Sequence, residues 1–150
     1  MTRRCTSGEY HEVVDAITSL FIATDAKDWS AVRDCLADQV LFDMSSLTGS
    51  PAAMTSADAI VEGWKHGLEP MRAVHHQVGN FRVDIQGDGA DVFCYGIAYH
   101  YRPNVSGKYT RTFVGTYDLH LSCDPRSGWK IDSFRFNAKF VDGNLELEKF

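Results

Sequence analysis

The hydrophobic positions follow a helical period in the N-terminal half of the chain and a strand period in the C-terminal half. Residues 9–24 place apolar side chains three and four positions apart, which predicts a first helix. A second, short helix follows from Asp28, whose carboxylate can cap it, and a third begins at a capping-box pattern over residues 55–58. Residues 40–42 predict a brief strand, and residues 45–55 predict a loop. The apolar positions of the three helices are Val13, Val14, Ile17, Leu20 and Phe21; Trp29, Val32, Cys35 and Leu36; and Ile60, Val61, Trp64 and Leu68.

Four β-rich runs occupy the C-terminal half, separated by short loops rich in Gly, Asp, Asn and Pro. Connections of this length join neighbouring antiparallel strands. Helices first and strands second predict an α+β fold, with the N-terminal helices packed on one face of a curved, mainly antiparallel sheet. We expect residues 1–150 to form a single domain with a loose tail at 142–148. The four runs are residues 73–86, 90–102, 109–123 and 129–140.

Composition and charge narrow the classes of partner. The net charge of -5 is mild and argues against nucleic acid or an anionic membrane as a partner. We find neither a secretory signal nor an apolar run of the roughly 20 residues that span a bilayer. Cys5, Cys35, Cys94 and Cys123 form no paired motif, which excludes zinc-ribbon and redox-motif sites. The four cysteines could form two disulfides, but we expect buried free thiols in a cytoplasmic protein.

Three polar residues are candidates for acid/base chemistry. Asp25 lies at the break between the first two helices, and His76 and His100 lie on predicted strands. A carboxylate next to an imidazole fixes the tautomer of the ring and stabilises its charged form, which makes the ring a base. We expect Asp25 within about 2.6–3.2 Å of a His76 ring nitrogen. The alternatives are that Asp25 only caps the turn and that His76 is a half-buried strand residue bound to a carbonyl.

Alternation along the strands separates two faces of the predicted sheet. His76 shares its face with Val74, Val78 and Asn80. His100 shares its face with Gly96, Ala98 and Arg102, and the small residues leave room beside its imidazole. In the third strand, a polar row that includes Thr116 and Asp118 is typical of a solvated surface or of a pocket wall. We expect an aromatic patch on the outer face, too large for a monomer, and hence a homodimer. This patch comprises Tyr95, Tyr99, Tyr101, Phe113 and Tyr117.

Three short motifs occur in order along the chain: Asp-Ala-Lys-Asp-Trp at residues 25–29, His-Gln-Val-Gly at 76–79 and Gly-Trp-Lys-Ile at 128–131. With these motifs the chain resembles the nuclear transport factor 2-like superfamily and its SnoaL-like branch, over roughly residues 15–140. Within that branch the closest resemblance is to the scytalone dehydratases. The resemblance implies a cone-shaped α+β fold.

The resemblance also implies roles for individual residues. Asp25 and His76 take the positions of the acid/base pair, and His100 takes that of a second catalytic histidine. Two tyrosines that hold a water in the dehydratases are replaced here, so the resemblance implies the acid/base pair without implying the same substrate. The implied substrate-binding positions are Thr24 and Met44 at those tyrosines, Thr116 and Asp118 at a pocket serine and asparagine, and Asn80 by similarity to the hexachlorocyclohexane dehydrochlorinases.

Together these features predict a cofactor-independent lyase or isomerase that acts on a small, largely apolar carbonyl or hydroxy compound. A metal is not expected, because the chain has no His-Glu-x-x-His and no close pair of histidines at ligand spacing. One enzymatic alternative is the aldol-type cyclisation of a polyketide. The other alternative is a binding or assembly domain, which a cone plugged by Phe42, Met44 and Trp64 would favour.

Overall fold

The predicted α+β architecture is confirmed by the computed structural model, which describes residues 9–149. Within these residues, four helices pack against one six-stranded sheet. The helices are α1 (Tyr10–Asp25), α2 (Trp29–Asp34), α3 (Ser45–Thr48) and α4 (Ala57–Leu68). The strands are β1 (Leu36–Asp43), β2 (Ala53–Ser56), β3 (Ala73–Gln86), β4 (Gly89–Tyr101), β5 (Thr110–Asp124) and β6 (Gly128–Gly143), and a 3₁₀ turn follows at Leu147–Lys149.

The sheet has the strand order β2-β1-β6-β5-β4-β3. Strands β3 to β6 form an antiparallel meander, as the short loops between them predict. Strand β1 pairs in parallel with β6 and antiparallel with β2. The meander therefore carries the long strands, and the early part of the chain extends the sheet at one edge.

The helical period of α1 explains how the core forms. Val13, Ile17 and Leu20 are fully buried, and they recur at the spacing that puts them on one face of the helix. This face packs against β3 and β6. Ser56 caps α4 by accepting the amide of Ala59 at 3.1 Å, as the capping-box pattern predicts.

Two segments that were expected to be irregular are ordered. The expected loop at 45–55 contains α3 and part of β2, and the expected loose tail includes Leu147, which is fully buried. Leu147 packs against Leu68, Met71 and Val74, so burial of one apolar side chain fixes the tail to the end of α4 and the start of β3.

Cross-strand register corrects the predicted aromatic patch. Phe113 lies opposite Ala98, and Tyr117 lies opposite Cys94, so both rings belong to the inner face of the sheet with the helices. The predicted outer patch keeps three members, Tyr95, Tyr99 and Tyr101, all of them exposed. The prediction was wrong for the other two because residues that pair directly across two strands share a face.

The expectation of free cysteines holds in part. Cys35 and Cys94 carry free thiols, whereas Cys123 does not, and Cys5 lies outside the described residues. Burial raises the pKa of the Cys94 thiol to about 12, which makes it a poor nucleophile. No helix of the described residues is long and apolar enough to cross a membrane.

We predict that Gly115→Ala destabilises the fold by roughly 1–3 kcal/mol, because β5 and β6 approach too closely here for a side chain. An added Cβ would lie 2.2 Å from the backbone oxygen of Asn137. Gly79→Ala is the matched control, since an added Cβ at this strand glycine meets nothing within 4 Å. Urea unfolding of both variants checks the prediction, and equal midpoints would contradict it.

Candidate active site

The carboxylate of Asp25 makes two hydrogen bonds to one residue, His76. Its Oδ1 lies 2.7 Å from Nδ1 of the His76 ring, and its Oδ2 accepts the backbone amide of His76 at 2.8 Å. The Asp25 and His76 side chains are 21% and 13% exposed, so the pair is largely shielded from water. The expected contact is therefore observed, at a distance within the expected range.

A tight turn after α1 brings Asp25 to the start of β3. Lys27 has a φ of 55°, in the left-handed region, which ends the helix and turns the chain. The Lys27 ammonium then donates to the carbonyl oxygens of Met71 at 2.6 Å and Glu69 at 3.4 Å. These carbonyls lie just before β3, so the lysine fastens the end of α1 beside the strand that carries His76.

A neighbouring carboxylate performs the capping role that was the alternative for Asp25. Asp28 is the N-cap of α2 and accepts the amide of Ala31 at 3.2 Å. The cap is thus supplied three residues later, and both oxygens of Asp25 bind His76.

The contact with Asp25 fixes the tautomer of His76. A carboxylate oxygen accepts hydrogen bonds, so Nδ1 of the His76 ring carries the hydrogen and, in the neutral ring, Nε2 has the lone pair. The ring stacks on Phe21, with centroids 5.1 Å apart and planes 29° apart. His76 therefore offers a basic nitrogen that is oriented by a carboxylate and supported by an aromatic ring.

His100 has the opposite tautomer. Its Nδ1 lies 3.2 Å from Nη2 of Arg111, and a guanidinium can only donate, so Nδ1 of His100 holds the lone pair and Nε2 carries the hydrogen. Burial, then the charge of Arg111, then that of His76 lower the pKa of His100 to about 4, against smaller raising effects of Asp25 and Glu148. His100 is therefore neutral at physiological pH and can donate a hydrogen bond from Nε2.

Both histidines line one cavity of about 440 Å³ between the sheet and the helices. They are diagonal neighbours on the inner face, because β3 and β4 pair Val74 with His100 and His76 with Ala98. The rest of the lining is mainly apolar and aromatic, with exposed residues of α3 and α4 at its rim. The apolar and aromatic members are Phe21, Met44, Leu47, Trp64, Leu68, Ala98, Phe113, Tyr117, Phe134 and Phe136.

The three residues expected to plug the cone are arranged around the cavity. Met44 and Trp64 contribute to its wall, and Phe42 packs behind it against Trp64 and Phe134, with ring centroids 6.1 and 5.7 Å apart. The space beside the histidines is therefore enclosed by these side chains and not occupied by them.

The two predicted residues at the tyrosine positions both line this cavity. Met44 adds an apolar contact, and Thr24 is buried with its hydroxyl donating to the carbonyl of Leu20 at 2.7 Å. Because that hydrogen bond stays within α1, the proton of Thr24 is not directed at a substrate.

Three other predicted substrate-binding residues lie away from this cavity. Asn80 is exposed, with a φ of 53°, at a bulge between Gly79 and Arg82 that interrupts the alternation of β3. Thr116 and Asp118 lie on the outer face of β5, where Nδ2 of Asn137 donates to them at 3.2 and 2.8 Å. Thr116 is buried there and Asp118 is exposed, and neither faces this cavity because the intervening Tyr117 faces inward.

The sequence interpretation missed two polar groups of the wall, Arg111 and Tyr117. The room expected beside the His100 imidazole at Gly96 is occupied by Tyr117, because an added Cβ on Gly96 would lie 2.2 Å from the Tyr117 ring. Burial raises the pKa of the Tyr117 phenol, so it stays protonated. The alternation of β5 puts both residues on the Phe113 face, and this signal was available in the sequence.

Among residues 9–149, no cluster of three or more His, Cys, Asp or Glu side chains could hold a metal ion. The polar side chains that line this cavity are those of the two histidines, Thr24, Arg111 and Tyr117, together with a threonine at the rim. What they offer a small molecule is one basic nitrogen, several hydrogen-bond donors and aromatic walls.

Comparison with known proteins identifies the family. The SnoaL-like domain family matches residues 6–135 of the chain. No curated protein matches the chain.

Solved structures share the fold at low sequence identity. The Kfla4162 protein of Kribbella flavida has a TM-score of 0.87 and 22% identity, over 93% of this chain and 96% of that one. A candidate scytalone dehydratase of Novosphingobium aromaticivorans has a TM-score of 0.79 and 13% identity, over 91% and 87%. A type 2 hexachlorocyclohexane dehydrochlorinase has a TM-score of 0.74 and 12% identity, over 92% and 90%.

We predict that His100 destabilises the fold in acid. Folding lowers its pKa from the ordinary 6.5 to about 4, so the unfolded chain binds more protons between these pH values. Stability is therefore full above about pH 6.5 and falls as the pH drops towards 4, by roughly 2–3 kcal/mol from this residue.

Urea unfolding between pH 4 and 8 measures this effect. His100→Gln should flatten the pH dependence, whereas His75→Gln, a change at an exposed histidine of β3, should leave it as in the wild type. Parallel curves for the wild type and His100→Gln would contradict the assignment of His100 as a buried neutral ring.

Proposed function

The chain belongs to the SnoaL-like domain family, and we propose that it is a cofactor-independent lyase or isomerase of a small, largely apolar carbonyl or hydroxy compound. The observation that carries the proposal is the pairing of two histidines of opposite tautomer in one cavity. The lone pair of His76 can accept a proton, and the N–H of His100 can bind the oxygen on which negative charge develops.

His76 is the proposed base. Its Nε2 removes a proton from a carbon next to a carbonyl or a leaving group, and the electron pair of the broken C–H bond moves into the substrate. The imidazolium that forms remains next to the carboxylate of Asp25, 2.7 Å from Nδ1, which stabilises its charge. General acid–base catalysis of this kind contributes about 10²–10⁴-fold to a rate.

His100 is the proposed electrophilic partner. In an isomerisation, its Nε2 hydrogen bonds to the enolate oxygen until the proton returns from His76 to a different carbon. In an elimination, the carbon electron pair forms a C=C bond as the C–O bond breaks. His100 then bonds the departing oxygen, which takes the proton held by His76. A hydrogen bond from a neutral imidazole suits both reactions, because no proton has to leave His100.

The walls of the cavity support a substrate with an apolar, ring-sized body. Aromatic side chains surround the histidines, including Phe21, Trp64 and Phe113, and the volume of about 440 Å³ is within the range for small-molecule sites. Two structural neighbours carry names of eliminating enzymes, a dehydratase and a dehydrochlorinase, and this supports elimination ahead of other proton transfers.

Aldol-type cyclisation of a polyketide remains the enzymatic alternative, since it needs the same base and the same stabilisation of an enolate. A binding or assembly role is the non-catalytic alternative. A filled cavity would favour this role, whereas the observed cavity contains an oriented basic nitrogen.

We predict that His76→Ala abolishes turnover while the fold stays within roughly 1–2 kcal/mol of wild type, because Asp25 keeps its bond to the backbone amide of residue 76. Asp25→Asn should also lower turnover severely, since an amide cannot stabilise the imidazolium and can select the wrong tautomer. The assay is a screen of hydroxyketones, polyketide-like phenols and halogenated rings for elimination or isomerisation, followed by kinetics.

Matched control variants distinguish loss of the acid/base pair from general destabilisation of the fold. His75→Ala removes the adjacent, exposed histidine, and Asp28→Asn replaces the cap of α2 with an equally good one. Both should retain wild-type turnover. If His76→Ala and Asp25→Asn also turn the substrate over at the wild-type rate, the pair is structural and the proposed mechanism is wrong.

We also propose that the chain forms a homodimer through the outer face of the sheet. Tyr95, Tyr99 and Tyr101 lie exposed on one strand there. A depression on the same face carries charges of both signs, including Arg82, Asp118 and Arg135, which a second copy related by two-fold symmetry can match.

We predict a dimer mass by light scattering at micromolar concentration and a monomer mass for Tyr95→Glu, because a charged carboxylate would have to lose its water in the interface. Tyr10→Glu is the matched control: this tyrosine is equally exposed, at 47%, but lies on α1. A monomeric wild-type protein, or a dimer unaffected by Tyr95→Glu, would refute the proposed interface.

A further inference from the structure

Arg111 lies directly opposite His100 across β4 and β5 and contacts it through one arm of its guanidinium. Its side chain is only 14% exposed, and its Cζ lies 5.3 Å from the centroid of the Phe113 ring. Nη2 donates to His100, and Nη1 donates to the Glu148 carboxylate and to the carbonyl of Leu145 at 3.4 Å. The guanidinium thus bridges the cavity wall and the C-terminal turn.

We propose that Arg111 is a positioning residue that holds His100 in its neutral Nε2–H tautomer, and that Glu148 in turn holds Arg111. The inference rests on the proposed function for the use of the Nε2 hydrogen in catalysis. The geometry from which it is drawn needs no substrate.

The guanidinium of Arg111 can favour only one of the two neutral tautomers of His100. Arginine has donors and no acceptor, so its contact with Nδ1 of His100 is compatible with a single neutral tautomer. Its positive charge also opposes addition of a proton to the ring. Without Arg111, the hydrogen could move to Nδ1, and the cavity would then face two lone-pair nitrogens, one from each histidine.

The C-terminal turn provides a fixed counter-ion for Arg111. Leu147 is buried, and Nη1 of Arg102 donates to the carbonyls of Leu147 at 3.1 Å and Glu148 at 2.9 Å. These contacts hold the backbone of the turn independently of Arg111. The Glu148 carboxylate is thereby presented to the guanidinium at a set position, on the side away from His100.

The orientation of Arg111 has few alternatives once both ends are bound. Its Nε is buried and has no hydrogen-bond partner among residues 9–149, so the two Nη groups provide all its observed polar contacts. Loss of the Glu148 contact would release one end of the planar fork, and the geometry towards His100 would then depend on a single bond at 3.2 Å.

NMR of protein labelled with ¹⁵N in histidine tests the proposal without a substrate. Long-range ¹H–¹⁵N spectra distinguish a protonated from an unprotonated ring nitrogen, and loss of a signal in His100→Gln assigns the residue. In the wild type at pH 7, we expect Nδ1 of His100 to be unprotonated and Nε2 to carry the hydrogen. A wild-type ring with the hydrogen on Nδ1, or a cationic ring, would overturn the proposal.

Two variants test the chain of contacts. In Arg111→Met, which keeps an apolar stem against Phe113, we expect a mixture of tautomers and a titration midpoint raised by about one pH unit or more. Glu148→Ala changes a residue whose side chain is 47% exposed, so it keeps the test open if Arg111→Met fails to fold, and it should also produce the Nδ1–H tautomer. Arg126→Met, at an exposed arginine in the loop between β5 and β6, is the control and should match the wild type.

Unchanged His100 signals in folded Arg111→Met would refute the positioning role, and unchanged signals in Glu148→Ala would refute the role of the C-terminal turn. Asp25→Asn separates this proposal from the proposed function. If Asp25→Asn retains full turnover while the Arg111 variants shift the tautomer, then the catalytic proposal fails and the positioning of His100 stands.

Discussion

Two hydrogen bonds between the Asp25 carboxylate and His76 join the end of α1 to the first long strand of the meander. One oxygen binds the ring and the other binds the amide of the same residue, so the carboxylate fixes backbone and side chain together. Lys27 reinforces this joint through the carbonyl of Met71. The position of α1 over the sheet, and hence the space left beneath it, depends on these few polar contacts as well as on the buried stripe of the helix.

The cavity gains its chemical asymmetry from what lies behind each histidine. A carboxylate behind His76 leaves a lone pair facing the site, and a guanidinium behind His100 leaves a hydrogen. Two identical side chains on neighbouring strands thereby acquire opposite hydrogen-bonding properties towards the cavity. The residues that determine the two tautomers are Asp25 and Arg111, each ten or more residues away in sequence from its histidine. They lie at the end of α1 and at the start of β5.

The α+β order, the buried stripe of α1 and the contact between Asp25 and His76 could be predicted from the sequence. Each of them depends on the local spacing of hydrophobic residues or on a short motif. Positions that depend on strand register were harder to predict. Alternation assigns faces within one strand, but the pairing of Phe113 with Ala98 is set by the hairpin, and the bulge after Gly79 changes the position of Asn80. The C-terminal turn was missed for a related reason. Leu147 is buried by contacts with residues of α4 and β3 that are distant in sequence, and the polar residues next to it do not indicate this burial.

The charges around the cavity explain why a neutral His100 is compatible with enolate or leaving-group chemistry. Asp25 and Glu148 each carry a negative charge and Arg111 a positive one, so the cluster has a formal charge of minus one before reaction. In the proposed reaction, proton uptake by His76 would make the cluster neutral as the substrate becomes negative. The new positive charge lies next to Asp25, and the new negative charge can lie next to the N–H of His100, which the guanidinium supports from behind. In the proposed reaction, charge would therefore separate along a direction that the fixed partners already favour, and His100 would assist without changing its own protonation state.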